Sequence, residues 1–135
     1  MPARFLIDDG MVIVPPPAGC AAPIVRKETI GEPPSCTPLP DDIDAEVLIK
    51  VGDKITTDHI MPAGAFLKYR SNIPKYARYV FDCFNQEGQP SFADRALAVR
   101  DSGRVGLIVA GDSFGQGSSR EHAAICPMYL GVRIV

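Results

Sequence analysis

The chain has 135 residues, 46% of them apolar, and a formal net charge of −2, enough for one domain with a real core. Its lysines and arginines are scattered among acids, so neither nucleic acid nor an anionic membrane is an expected partner. No apolar run approaches the roughly 18 residues of a membrane span, and the start MPARFLIDDGMVIVPPP lacks the layout of a secretory signal, so the expected location is cytoplasmic.

Nine of the thirteen prolines fall within the first forty residues, in runs such as VPPPAGCAAP and GEPPSCTPLP. Fixed φ angles and missing N–H groups there oppose helix and sheet interior alike, so residues 1–42 read as an extended segment. A flexible tail and a linker to something upstream fit that composition equally. The folded domain is expected over 43–135. It opens on DIDAEVLIKVGDKI, a strand closed by Gly52 and Asp53 as a turn. A polar loop, TTDHI, leads into a helical stretch with Pro62 in its first turn. IPKYARYVF and SFADRALAVRDSG read as two further helices, the second with Ser91 as N-cap and Gly103 beyond its end.

RVGLIVAG is a continuous apolar run bounded by glycine, the pattern of a parallel strand buried on both faces. GDSFGQGSSREHAA follows, then a helix, then GVRIV as a second parallel strand, which gives an α/β strand–loop–helix–strand unit. The chain is expected to be incomplete beyond GVRIV. Cys20, Cys36, Cys83 and Cys126 are far apart with no C-x-x-C, so free thiols are expected and no metal site follows from their spacing.

The glycine-rich stretch carries the chemistry. Ser118 and Glu121 have capping-box spacing, which predicts a helix starting at Ser118. Such a start presents unpaired amides, while Gly115 and Gly117 admit a ligand close to the backbone and Arg120 adds a fork of donors for a carboxylate or phosphate. A plain capped helix with a solvated arginine fits the same four residues. A phosphate loop of the G-x-x-x-x-G-K-[ST] type is excluded because no lysine precedes the serines. GDSFG matches G-x-S-x-G with Ser113 as nucleophile, but the histidine that follows, His122, is only nine positions on and at the start of the same short helix.

GDSFGQGSSREHAA and KVGDKITTDHIMPAGAFLKYR together resemble the C-terminal swivelling domain of the aconitase family, over about Val47 to Val135. The start RFLIDDGMVIVPPP also resembles the stretch that joins the earlier domains of that family to this one. The resemblance implies a swivelling β/β/α domain and a hydro-lyase interconverting citrate and isocitrate through cis-aconitate. It implies a [4Fe–4S] cluster held by three cysteines of cluster-bearing domains or a large subunit, with none of those cysteines and no metal ligand in this chain. By the same resemblance Ser118 matches the catalytic base, Ser119 and Arg120 match binders of the substrate carboxylates, and Arg70 matches a second arginine that grips a small tricarboxylate. Asp58 and His59 match an active-site pair, although a hydrogen-bonded loop histidine is an equal reading of His59. His122 is expected to make a structural hydrogen bond.

The extra arginine favours a citrate-like acid over isopropylmalate, whose third substituent is apolar. Homoaconitate and methylcitrate fit as well. A different reading is a non-catalytic module that binds polycarboxylates; an RNA-binding version of it lacks a basic stripe.

Overall fold

The structure is a computed structural model that describes residues 10–19, 21, 23, 25–35 and 37–135. Cys20, Cys36 and residues 1–9, with all of the RFLIDDG start but its glycine, lie outside the described residues. Three parallel strands in the order β1-β2-β3 form one sheet: β1 is Ala45–Lys50, β2 is Val105–Val109 and β3 is Val132–Ile134. The first crossover holds two one-turn helices, α1 (Thr57–Ile60) and α2 (Ile73–Tyr76), several 3-10 turns, and α3 (Phe92–Asp101). The second holds α4 (His122–Tyr129).

Local chemistry fixes α3. The Ser91 side chain accepts from the Asp94 amide, and at the other end Gly103 takes φ +80 while the Arg104 amide donates to the Val99 carbonyl at 3.2 Å. That is a Schellman stop, which glycine makes without steric cost. The stretch after Pro62 forms a 3-10 helix over Gly64–Tyr69 instead of an α-helix.

The core lies between the sheet and its helices. Leu48, Ile108 and Val132 point into it, and Phe81 and Phe92 meet edge to face at 4.9 Å with neither exposed. Each such large side chain contributes roughly 2 kcal/mol by leaving water. Gly106 completes the fit, since a Cβ there would meet Leu48 Cδ1 at 2.4 Å.

The expectation that β2 is buried on both faces is corrected. Gly106 and Ile108 are buried, but Val109 is 40% exposed and Val47, paired with Leu107 beside it, 46%. Helices α3 and α4 supply the packed side, α3 against β1 and β2 and α4 against β3. No described element covers the other side of these strands, where a second β layer of a β/β/α arrangement would pack. Before Asp44 the described residues contain turns but no helix or strand, and the Gly31 amide donates to the Ser71 carbonyl at 2.8 Å.

Candidate functional site

Past the ends of β1 and β2 the chain continues as two loops laid side by side. The Lys54 amide donates to the Asp112 carbonyl at 2.7 Å, the Gly115 amide to Ile55 at 2.6 Å and the Thr57 amide to Gln116 at 2.9 Å. Asp53 Oδ1 accepts from the Asp112 amide at 2.8 Å. A Cβ at Gly111 would sit 2.0 Å from that same oxygen, so only glycine lets the loops approach. TTDHI and GQGSSRE are thereby brought together beyond the carboxyl ends of parallel strands, the usual location of ligand sites in open α/β sheets.

The capping box predicted at Ser118 forms instead at Thr56. The Thr56 side chain accepts from the His59 amide while His59 Nδ1 accepts from the Thr56 amide at 3.0 Å. Because Nδ1 is the acceptor, the ring proton sits on Nε2, on an exposed ring. The signal was in the sequence, a threonine followed three residues later by a side chain able to accept, but histidine stands where the usual pattern has Glu or Gln.

Helix α4 begins at His122, with Glu121 before it in helical conformation and no side-chain cap. Ser118 and Ser119 belong to a loop, and the Arg120 amide folds back on the Ser118 carbonyl at 2.7 Å. Gly117 at φ +122 and the tether on the Arg120 side chain hold this segment off the helix. The unpaired amides therefore belong to the loop. Among the described residues, no hydrogen bond uses the amides of Gly117, Ser118 or Ser119, or the hydroxyls of Ser118 and Ser119.

Arg120 is held from two sides. Its guanidinium donates to Asp58 Oδ1 at 2.6 Å and to the Met61 carbonyl at 3.1 Å, and its side chain is 17% exposed against 60% for Asp58. Asp58 thus orients the arginine, whose guanidinium also lies against the Tyr76 hydroxyl. Arg70 and Arg120 line one cavity of about 350 Å³ with Leu67, Ser71, Glu121 and His122. Within the described residues the Arg70 guanidinium has no partner. His122 Nε2 donates to the Arg70 carbonyl at 2.9 Å, and its ring lies 5.3 Å from that of buried Tyr76. The Tyr76 hydroxyl in turn donates to the Pro62 carbonyl at 2.9 Å, and burial raises its pKa above the ordinary tyrosine value. His122 is structural, as its place in the sequence predicts, and what it holds in place is the backbone of Arg70.

Ser113 is exposed at φ +62 with neither histidine bonded to it, so the hydrolase reading has no triad. The sequence reading passed over Thr57. It is 6% exposed, and its Oγ1 is a buried side-chain oxygen without a hydrogen-bond partner among the described residues. Such an orphan costs about 1–3 kcal/mol. Cys126 is fully buried and its thiol is pushed up to about 12 by desolvation; burial also raises exposed-surface Cys83 above the ordinary thiol value.

Residues 71–135 match the aconitase C-terminal domain. This segment belongs to that family. Over 108 residues the chain is 38% identical to the mitochondrial aconitate hydratase of Candida albicans, an overlap of 67% of this chain and 14% of that protein. It is 36% identical over 105 residues to the mitochondrial aconitate hydratase of Saccharomyces cerevisiae, with the same two shares. It is 31% identical over 107 residues to the mitochondrial homocitrate dehydratase of S. cerevisiae, covering 70% of this chain and 14% of that protein. A solved 3-isopropylmalate dehydratase from Methanocaldococcus jannaschii aligns at 28% identity and TM-score 0.46 over 67% of this chain and 46% of that one. This chain thus spans about 14% of the length of these curated relatives. Their names also overturn the cytoplasmic expectation, since these relatives are mitochondrial proteins.

Proposed function

We propose that this chain is the substrate-clamping part of a mitochondrial hydro-lyase acting on a citrate-class tricarboxylate, completed by cluster-bearing domains or a large subunit. The observation that carries the reading is that Arg70 and Arg120 line one cavity, with the unspent amides and hydroxyls of Gly117–Ser119 directly preceding Arg120 in the chain. Two guanidinium forks and a row of amide donors suit an acid with several carboxylates. Asp58 keeps Arg120 aimed, and His122 holds Arg70 through its backbone.

In this reading Ser118 removes the proton from the carbon next to a substrate carboxylate. A serine hydroxyl is a weak base in water; loop amides and Arg120 lower the cost of its alkoxide and of the charge developing on substrate. Ser119 and Arg120 hold the carboxylate, and Arg70 holds a second one. The [4Fe–4S] cluster that the resemblance implies supplies Lewis-acid chemistry at the substrate hydroxyl when bound. The two described cysteines of this chain do not suit it, because a cluster needs several converging thiolates, whereas Cys83 is exposed, Cys126 is buried with its thiol pushed up to about 12, and no metal-holding group of side chains forms among the described residues. The cluster is assigned to the partner portion.

Comparing citrate with isopropylmalate in the assembled enzyme tests the substrate class. The expected kcat/KM is at least about 10²-fold higher for citrate, and Arg70→Ala raises the citrate KM about 10-fold or more. Equal use of both acids, or an unchanged KM in the variant, contradicts the clamp.

A further inference from the structure

Gly31 is the one described residue before Ala45 that is not exposed. A short turn presents it: the Ile30 amide donates to the Lys27 carbonyl at 2.9 Å, and the Arg26 guanidinium donates to the Glu32 carboxylate across the same turn. The Gly31 amide then donates to the Ser71 carbonyl at 2.8 Å. This approach leaves no room for a side chain, because a Cβ on Gly31 would meet Asn72 Cγ at 3.0 Å and Oδ1 at 2.9 Å. Asn72 has little freedom to yield: it is 8% exposed, and its Oδ1 accepts from the Lys75 amide as the cap of α2. Gly31 does not adopt a positive φ, so the close approach alone calls for glycine here.

Ser71 follows Arg70 and lines the same cavity. Two successive carbonyls are therefore held from distant parts of the chain, that of Arg70 by the His122 ring at 2.9 Å and that of Ser71 by Gly31. The amides on either side are tied locally, Arg70 to the Leu67 carbonyl at 3.1 Å and Asn72 to the Tyr69 carbonyl at 2.7 Å. With its backbone fixed this way the Arg70 side chain leaves from one place, and a displacement of about 1 Å is enough to spoil a charged clamp. We infer that Gly31 is a positioning residue: its amide holds the Ser71 carbonyl, so that the segment leading into the domain acts as a strut for the grip of Arg70 on substrate. The inference rests on the reading of Arg70 given above, and it makes the placement of residues 26–32 a determinant of substrate affinity.

Gly31→Ala, Arg70→Ala and the double variant of the assembled enzyme test it. Gly31→Ala is expected to raise the citrate KM at least about fivefold with kcat within about threefold of the parent. The melting temperature stays at the parent value, since the turn lies outside the core. In the Arg70→Ala background the same change moves KM by less than about 1.5-fold, because the strut acts through the arginine. The parent enzyme supplies a reading free of any substitution: by reciprocity, citrate slows hydrogen exchange at the Gly31 amide by at least about fivefold, the factor by which the tether raises affinity. Unchanged KM in Gly31→Ala, an equal rise once Arg70 is already removed, or Gly31 exchange that citrate does not alter overturns the strut. An unchanged KM in Arg70→Ala alone overturns the clamp beneath it, so the two failures are told apart.

Discussion

Replacing Ser118 by alanine in the assembled enzyme is expected to lower kcat by about 10³-fold, with KM moving less than about threefold. The hydroxyl is exposed and has no partner among the described residues, so its removal disturbs no packing and leaves the fold intact. A group that acts only as the base contributes in the transition state and little in the ground state, which is why the loss falls on kcat. Steady-state kinetics beside a melting curve check this. Retained turnover would remove Ser118 from the reaction; a parallel rise in KM would make it a binding group.

The second large effect is expected from Arg120→Lys. An ammonium keeps the charge but not the planar fork, and it cannot reach Asp58 Oδ1 and the Met61 carbonyl while still facing a ligand. We expect kcat/KM to fall at least about 10²-fold, with citrate KM raised. Urea unfolding should show a loss of about 1–2 kcal/mol, kept modest because Asp58 is largely in water and its side of the ion pair is screened. Activity near the parent level would mean that the remaining N–H groups of Arg120 meet no substrate.

The sequence disclosed those parts of the fold that local chemistry decides. Ser91 caps α3 and Gly103 stops it because each device acts within a few residues of itself, Ser91 on Asp94 and Gly103 beside the Val99–Arg104 bond. The apolar run at β2 and the loop–helix–strand order after it were legible for the same reason. What could not be read depends on contacts between distant residues. Ser118 and Glu121 have capping-box spacing, yet the start of α4 is set by the tether from Arg120 to Asp58, 62 residues away. The exposure of Val47 and Val109 depends on how many layers pack on the sheet, which an apolar run does not reveal. Arg120 was legible as a donor fork beside the glycine-rich loop, and resemblance to the aconitase family brought Arg70, Asp58 and His59 forward as candidates with it. Their arrangement, with Asp58 serving Arg120, His122 holding the backbone of Arg70 and Thr57 behind Gly117, emerges only from the folded loops.

The measurement that bears most directly on the central claim is amide hydrogen exchange over residues 115–121 in the assembled enzyme, with and without saturating citrate. The amides of Gly117, Ser118 and Ser119 have no acceptor within the described residues. If they and Arg120 receive a substrate carboxylate, citrate will slow their exchange by about 10-fold or more, and Arg120→Lys will weaken that protection. Exchange at these three amides that is the same with citrate bound as without it would contradict the account, because the loop would then hold no carboxylate.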